Sequence, residues 1–441
     1  MENFDPDKTV IGAASSLPDA NRTQMTPPPG ADFTLTCRPE HGSLLSTDQS
    51  RDHLMVQWRA AGSGLARGPR MPLNLALAID RSGSMEGEPL QYVQRACAQI
   101  IDLLEPSDVL TIVTFAEDVD VIVPARRVVN RQLLKEHIQR ILPGNTTNLY
   151  DAIVVAANQV ASVASAGMVN RVLLLTDGEP TAGIRDFQSI VGQAAEQKSR
   201  GITVTALGFG PEYNEELLAG IARRSGGNYY YITRPELLPE VFRSELMTMM
   251  NLAARGAKLR IKPAKWNRVR QVYGHKLAFA PEGIEVDVAD LEQGAALTLL
   301  AEMDFGPRPT GEFRGAVVEV EFENTATGRT ERLSADAVWR FIADPSEAAA
   351  SEDTGVAAEL QVALASQTLE RTLMGMRTQQ IDSRTAMLDL ERTQQILITG
   401  GQADRAADIT QALGSLRAGD SNAAEKTLIG TSLDLDRGKR S

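Results

Sequence analysis

The sequence predicts a doubly wound, Rossmann-like α/β domain, mostly parallel with one antiparallel edge strand. That domain is inserted into a β-sandwich and followed by a C-terminal helical region. Three observations carry this. Between residue 73 and about 248, short apolar runs alternate with stretches of helical periodicity. On both sides the pattern changes to strand-like alternation, and Trp58, Trp266 and Trp339 all fall in these flanks. After a short linker, "ADPSEAAASEDTG", leucines recur at helical spacing, as in Leu360, Leu364, Leu369 and Leu373. The expected division is a disordered tail at 1–31, first sandwich strands at 32–70 and the α/β domain at 71–250. The rest of the sandwich follows at 251–345, and helices with a tail at 346–441.

Each element has its local reason. Residues 1–31 hold Pro27-Pro28-Pro29, scattered Ser and Asn and few apolar side chains, too little to offset chain ordering. "FTLTC" and "HLMVQWRA" alternate as strands, and "AGSGLARGPRMP" is a loop rich in Gly and Pro. Leu73–Ile79 is nearly all apolar, the pattern of a strand covered on both faces of a parallel sheet. Further strands are predicted at 109–115, 119–125, 171–177, 202–210 and 228–232. Helices are predicted at 88–104, 131–141, 149–165, 186–200, 213–225 and 235–250. Only "AED" separates 109–115 from 119–125, so these form a hairpin and supply the antiparallel edge. In "SGGNYYYI" the tyrosines sit half buried on the last strand. "AKLRIK", "GIEVDVADL", "ALTLLAEMDF", "GAVVEVEFEN" and "AVWRFI" return to strands. A compact unit with neighbouring termini is readily inserted at an exposed loop. Helices then cover 356–375, about 380–398, 403–414 and 421–428, and "DLDRGKRS" reads as a frayed end.

Composition excludes several functions. The 441 residues carry a net charge of −12, which argues against a nucleic-acid partner. No apolar run is long enough to span a membrane, and the acidic start "MENFDPDKTVIG" is no secretory signal. Cys37 and Cys97 lie far apart and read as buried free thiols, as in a reducing compartment, so a cytoplasmic protein is expected. His41, His53, His137 and His275 are scattered and form no metal-spaced set. Neither a Walker motif nor a G-x-S-x-G elbow is present, and the expectation is a binding protein rather than an enzyme.

Chemistry gathers at predicted strand and helix ends. Asp80-Arg81-Ser82-Gly83-Ser84 follows the first strand, Thr147 stands in "GNTTNLYDAI" before a helix, and Asp177 ends the strand of "LLLTDGEP". In open α/β sheets ligands bind at this rim. Hydroxyls and carboxylates without His or Cys suit a hard cation such as Mg²⁺. With Ser82, Ser84 and Thr147 as direct neutral ligands, and Asp80 and Asp177 acting mostly through water, the ion stays electrophilic. It then seeks a carboxylate from a partner. Glu86 and Glu88 read as first-turn residues of the next helix, and Thr146 is the alternative cap of the helix after Thr147.

These residues resemble the von Willebrand factor A family and its metal-ion-dependent adhesion site, with Asp-x-Ser-x-Ser, Thr and Asp all present. "DRSGSM", "TNLYDAI" and "TDGEPTAG" look especially like the A domains of inter-alpha-trypsin inhibitor heavy chains and of bacterial cytoplasmic proteins. The resemblance covers about 70–250. It implies a doubly wound fold, a Mg²⁺ (or Mn²⁺ or Ca²⁺) at Asp80, Ser82, Ser84, Thr147 and Asp177, and binding of a partner's Glu or Asp. Two rivals stand beside it. One is a Mg²⁺-dependent hydrolase with Glu86, Glu88, Asp151 or Glu179 as base. The other is a self-associating subunit whose metal ties loops together. Thr9 in "DPDKTVIG" resembles kinase-target tails read by forkhead-associated domains.

Overall fold

The structure, a computed structural model, describes residues 32–440 apart from 63–69, 166, 211–212, 233, 281–282 and 437. Residues 1–31, with Thr9, lie outside the described residues. The chain forms two compact units. Among the described residues, one gathers those before 63 with those of 252–413 and 434–440, and the other gathers those of 70–251 with those of 414–433.

The first unit opens with β1 (Phe33–Pro39), β2 (Ser43–Leu45) and β3 (Ser50–Ala60). The second then runs through β4 (Leu73–Asp80), α1 (Glu88–Leu103), β5 (Val109–Phe115) and β6 (Val119–Arg127). It continues with α2 (Arg131–Gln139), α3 (Leu149–Val163), β7 (Val169–Thr176) and α4 (Phe187–Ser199). It closes with β8 (Thr203–Phe209), α5 (Glu215–Ser225), β9 (Tyr229–Ile232) and α6 (Leu238–Met250). The sheet order is β6-β5-β4-β7-β8-β9, with β6 antiparallel to β5 and every other neighbour parallel. Every residue of β4 is buried, as its unbroken apolar run requires. Its entry is fixed by Asp108, fully buried, which accepts from Leu73 N at 2.8 Å and from both Arg70 Nη atoms at 2.8 and 2.6 Å.

The first unit resumes with β10 (Leu252–Pro263), β11 (Asn267–Val272), β12 (Ala278–Ala280), β13 (Gly283–Asp287) and β14 (Leu291–Glu292). Then come β15 (Ala296–Phe305), β16 (Gly311–Asn324) and β17 (Arg329–Ile342). One sheet has the order β1-β3-β15-β11 and the other β12-β13-β10-β16-β17-β2. Both feed one apolar core in which Phe33 meets Phe322 at 4.5 Å and Phe305 meets Trp339 at 4.7 Å between ring centroids. Cys37 lies in that core, where burial pushes its thiol up to about 12, and Cys97 is buried in α1; both are free.

Helices α7 (Pro345–Ala349), α8 (Thr354–Arg377) and α9 (Ser383–Thr399) start at Asp344, Asp353 and Asp382, each accepting backbone N–H groups of its first turn. After α10 (Ala403–Arg417), α11 (Ser421–Asp436) packs within the second unit through Leu433 and Ile429, and Lys426 Nζ stands 4.1 Å over the Tyr213 ring. Near the chain end, residues 438–440 are hydrogen-bonded to the sheet rather than frayed. β18 (Lys439–Arg440) pairs with β15, and Thr298 N donates to Gly438 O at 2.8 Å. A polar tail here gains two residue pairs with one strand, Ala296 with Arg440 and Leu297 with Lys439, that no local pattern announces.

Two of the histidines are paired with carboxylates. His41 Nδ1 lies 2.9 Å from Asp52 Oδ1, and His53 Nδ1 lies 2.6 Å from Glu40 Oε2. Asp52 is fully buried and also accepts from Trp339 Nε1 at 2.7 Å and from His41 N at 3.1 Å. Antiparallel pairing of β1 with β3 sets Pro39 opposite Leu54, which carries Glu40 and His41 to His53 and Asp52. The cluster is satisfied by its own N–H donors, as a buried carboxylate must be.

Candidate metal centre

Strand β4 ends at Asp80, where the chain turns into a 3-10 turn at Gly83–Met85 before α1. Asp80 is fully buried, and both its oxygens are used. Ser82 N donates to Oδ1 at 2.8 Å and Thr176 Oγ1 to Oδ2 at 2.5 Å. Burial pushes its carboxyl up to about 7, against those hydrogen bonds, and Asp177 adds to the rise.

The hydroxyls face a different way. Ser82 Oγ and Ser84 Oγ are 3.2 Å apart, and Ser84 Oγ donates to Asp177 Oδ1 at 2.7 Å. Thr147 immediately precedes Asn148, the N-cap of α3, whose side chain accepts from Asp151 N. Asn148 therefore does the capping, while the Thr146 hydroxyl is buried without a partner. Thr147 binds Thr181 Oγ1 through its N–H at 2.9 Å, and its carbonyl accepts from Thr181 N and Ala182 N. Its Oγ1 has no hydrogen-bond partner among the described residues. A hollow of about 380 Å³ is lined by Ser82, Ser84, Asn145, Thr147, Gly178, Glu179 and Thr181.

The loops are locked to one another by main-chain bonds. Gly144 N donates to Arg81 O at 2.5 Å, Gly83 N to Asn145 O at 3.3 Å and Asn148 N to Ala116 O at 2.9 Å. Glu117 braces the same loop, and the N–H of Asn145 holds its carboxyl below the usual range. Asp177 follows β7 directly, and Gly178 leaves the space between the hydroxyls open. A Cβ there would stand 3.6 Å from Thr147 Oγ1 and 3.8 Å from Ser84 Oγ.

All five sequence-selected residues thus meet on the rim at the carboxyl ends of β4 and β7. Glu88 lies in the first turn of α1 as expected, whereas Glu86 does not: it ends the preceding 3-10 turn, before the Gly87 N-cap, and is exposed. Sequence reading missed Thr176 and Thr181, which hold Asp80 and Thr147. Their only signal is adjacency to the motif, in "LLLTDGEPT". The donor set is entirely oxygen and combines three hydroxyls with two carboxylates, which fits a hard divalent cation.

Fold and rim together define a doubly wound α/β domain with an oxygen-donor pocket at its topological switch point. Residues 74–244 match the family model of the von Willebrand factor type A domain. Such domains commonly mediate metal-dependent protein interactions. The chain is similar to the uncharacterized protein YfbK of Escherichia coli, 28% identical over 304 residues. That alignment takes in 67% of this chain and half the length of YfbK. It is 31% identical over 167 residues to human inter-alpha-trypsin inhibitor heavy chain H4, covering 36% of this chain and 18% of that one. Among solved structures, von Willebrand factor type A from Catenulispora acidiphila superposes with a TM-score of 0.69 at 16% identity, over 86% of this chain and 89% of that chain. No helix among the described residues is long and apolar enough to cross a membrane.

The buried Asp80 carries a stability cost without metal. Its pKa is near 4 when unfolded and about 7 when folded, so the folded state binds the extra proton between those values. Stability of the metal-free protein therefore falls as pH rises across this window, and the full cost, of order a few kcal/mol, stands above it. In EDTA at pH 8, Asp80→Asn is expected to be at least as stable as the parent in urea denaturation. A clear loss of stability would contradict the burial argument.

Proposed function

We propose that the chain is a divalent-cation-dependent protein-binding scaffold or adaptor. Ser82, Ser84 and Thr147 would hold Mg²⁺, or Mn²⁺ or Ca²⁺, directly, with Asp80 and Asp177 orienting them and anchoring water. When bound, the cation supplies an electrophilic position for the Glu or Asp of a protein partner. The supporting observation is the division of labour on the rim. Asp80 has both oxygens engaged away from the pocket, while uncharged hydroxyls open into it. We place this activity in the cytoplasm, in keeping with two free, buried cysteines.

The test is capture of partners from cell extract with and without EDTA, using the parent, Asp80→Ala and Ser84→Ala. Capture should depend on Mg²⁺ and disappear in both variants. Capture that survives EDTA and both substitutions would remove the mechanism.

The hydrolase alternative gains one observation. Of Glu86, Glu88, Asp151 and Glu179, it is Glu179 that lines the pocket. It is exposed, and Asp151 is engaged with Asn148 at 2.8 Å. Turnover of phosphoester substrates with Mg²⁺ would favour that alternative.

A further inference from the structure

The loops around the pocket carry a charge pattern that narrows the partner. Strands β4, β5, β7, β8 and β9 are parallel, so the loops following them share one rim. Exposed acids are spread over it: Glu86 and Glu88 after β4, Glu117 and Asp118 after β5, Glu179 and Asp186 after β7. Among the described residues of these loops the cations are Arg81, Arg185 and Arg234. Arg81 is engaged with Asp120 at 3.2 Å. Within this acidic ring, Thr147 is 3% exposed and turns an unpartnered Oγ1 into the pocket.

A lone carboxylate approaching this rim meets attraction at the centre and net repulsion from the acids of the loops after β4, β5 and β7. A partner that is itself acidic is therefore steered away before contact. We infer that the pocket takes a glutamate or aspartate set among basic residues, its carboxylate at the centre and its lysines or arginines against the acidic loops. This rests on the proposed acceptance of a partner's carboxylate and adds the chemistry of that partner. Surface charges steer association and are screened by salt, whereas the central contact is screened less. The two contributions are thus separable by ionic strength.

Three synthetic peptides with one central glutamate, flanked by lysines, alanines or aspartates, test this on the full chain in Mg²⁺ and in EDTA. The lysine-flanked peptide should bind about tenfold tighter than the alanine-flanked one at low salt. The aspartate-flanked peptide should bind weakest. Added salt should shrink the difference, and the Glu86→Lys/Glu88→Lys variant should reduce or reverse the order. Mg²⁺-dependent binding that ignores the flanking charge would overturn the inference and leave the metal reading standing. Lysine-flanked binding that is unchanged by EDTA would overturn the metal reading itself. No binding of the lysine-flanked peptide in Mg²⁺ would overturn the inference.

Discussion

Ser84→Ala is expected to abolish the response of the protein to magnesium while leaving its fold intact. Ser84 is exposed, and its side chain makes two contacts, with Ser82 Oγ and Asp177 Oδ1. Removing the hydroxyl deprives Asp177 of one donor, a cost of about 1 kcal/mol in the metal-free state. The effect on the ion is far larger. Even groups that only orient metal ligands are worth about 10–100-fold in affinity, and Ser84 is proposed as a direct ligand among few. A ligand at a hundredfold excess over its Kd stabilises the folded state by about 2.7 kcal/mol. The parent should therefore melt later in magnesium than in EDTA, and Ser84→Ala should melt at one temperature in both. Calorimetric titration would give the affinities directly. An undiminished magnesium shift in the variant would remove Ser84 from the ligand set.

How much of this was legible beforehand depends on how local each signal is. Strand β4 announced itself because burial on both faces leaves no room for polar residues. The β5–β6 hairpin followed from a connection too short for a crossover. Strand β11, "NRVRQV", escaped because it sets Arg268 and Arg270 on an outer face beside Asp304 and Glu302, which removes the apolar run. The first half of β17 escaped for the same reason, since Arg332 pairs with Glu321 across the sheet. Asp80, Ser82, Ser84, Thr147 and Asp177, the residues proposed for the site, stood out because they cluster at or just beyond the ends of elements. Thr176 and Thr181 act through partners 96 and 34 residues away in sequence, a separation only the fold closes. The His41–Asp52 and His53–Glu40 pairs likewise come from strand register, which the histidines alone do not encode.

Glu245→Ala is expected to have the largest effect on stability in the α/β unit. Glu245 is fully buried on α6, and its carboxylate accepts from Thr205 Oγ1 at 2.7 Å, Asn228 Nδ2 at 2.6 Å and Tyr230 OH at 2.8 Å. Arg171 of β7, itself 4% exposed, stands 3.8 Å away. Burial alone would raise the Glu245 carboxyl. Arg171 and the three donors outweigh it and hold the group below its ordinary range. The arrangement joins α6 to three neighbouring strands or their ends. Removing the carboxylate takes one acceptor from the buried Arg171 guanidinium and from three neighbouring donors, and breaking a buried pair in this way costs about 3–5 kcal/mol. For a domain of this size that lowers the melting temperature by on the order of ten degrees. Because the folded pKa is depressed, the contribution is present above the unfolded value near 4.3 and is lost as pH falls through the lower folded value. The parent should thus lose stability in acid where Glu245→Ala does not. Replacing both partners with apolar side chains, Arg171→Met with Glu245→Leu, should restore much of the loss, because the buried charge is then removed together with its partner. A loss below about 1 kcal/mol for Glu245→Ala would mean that water reaches Arg171, and the network would then be no more than a surface pair.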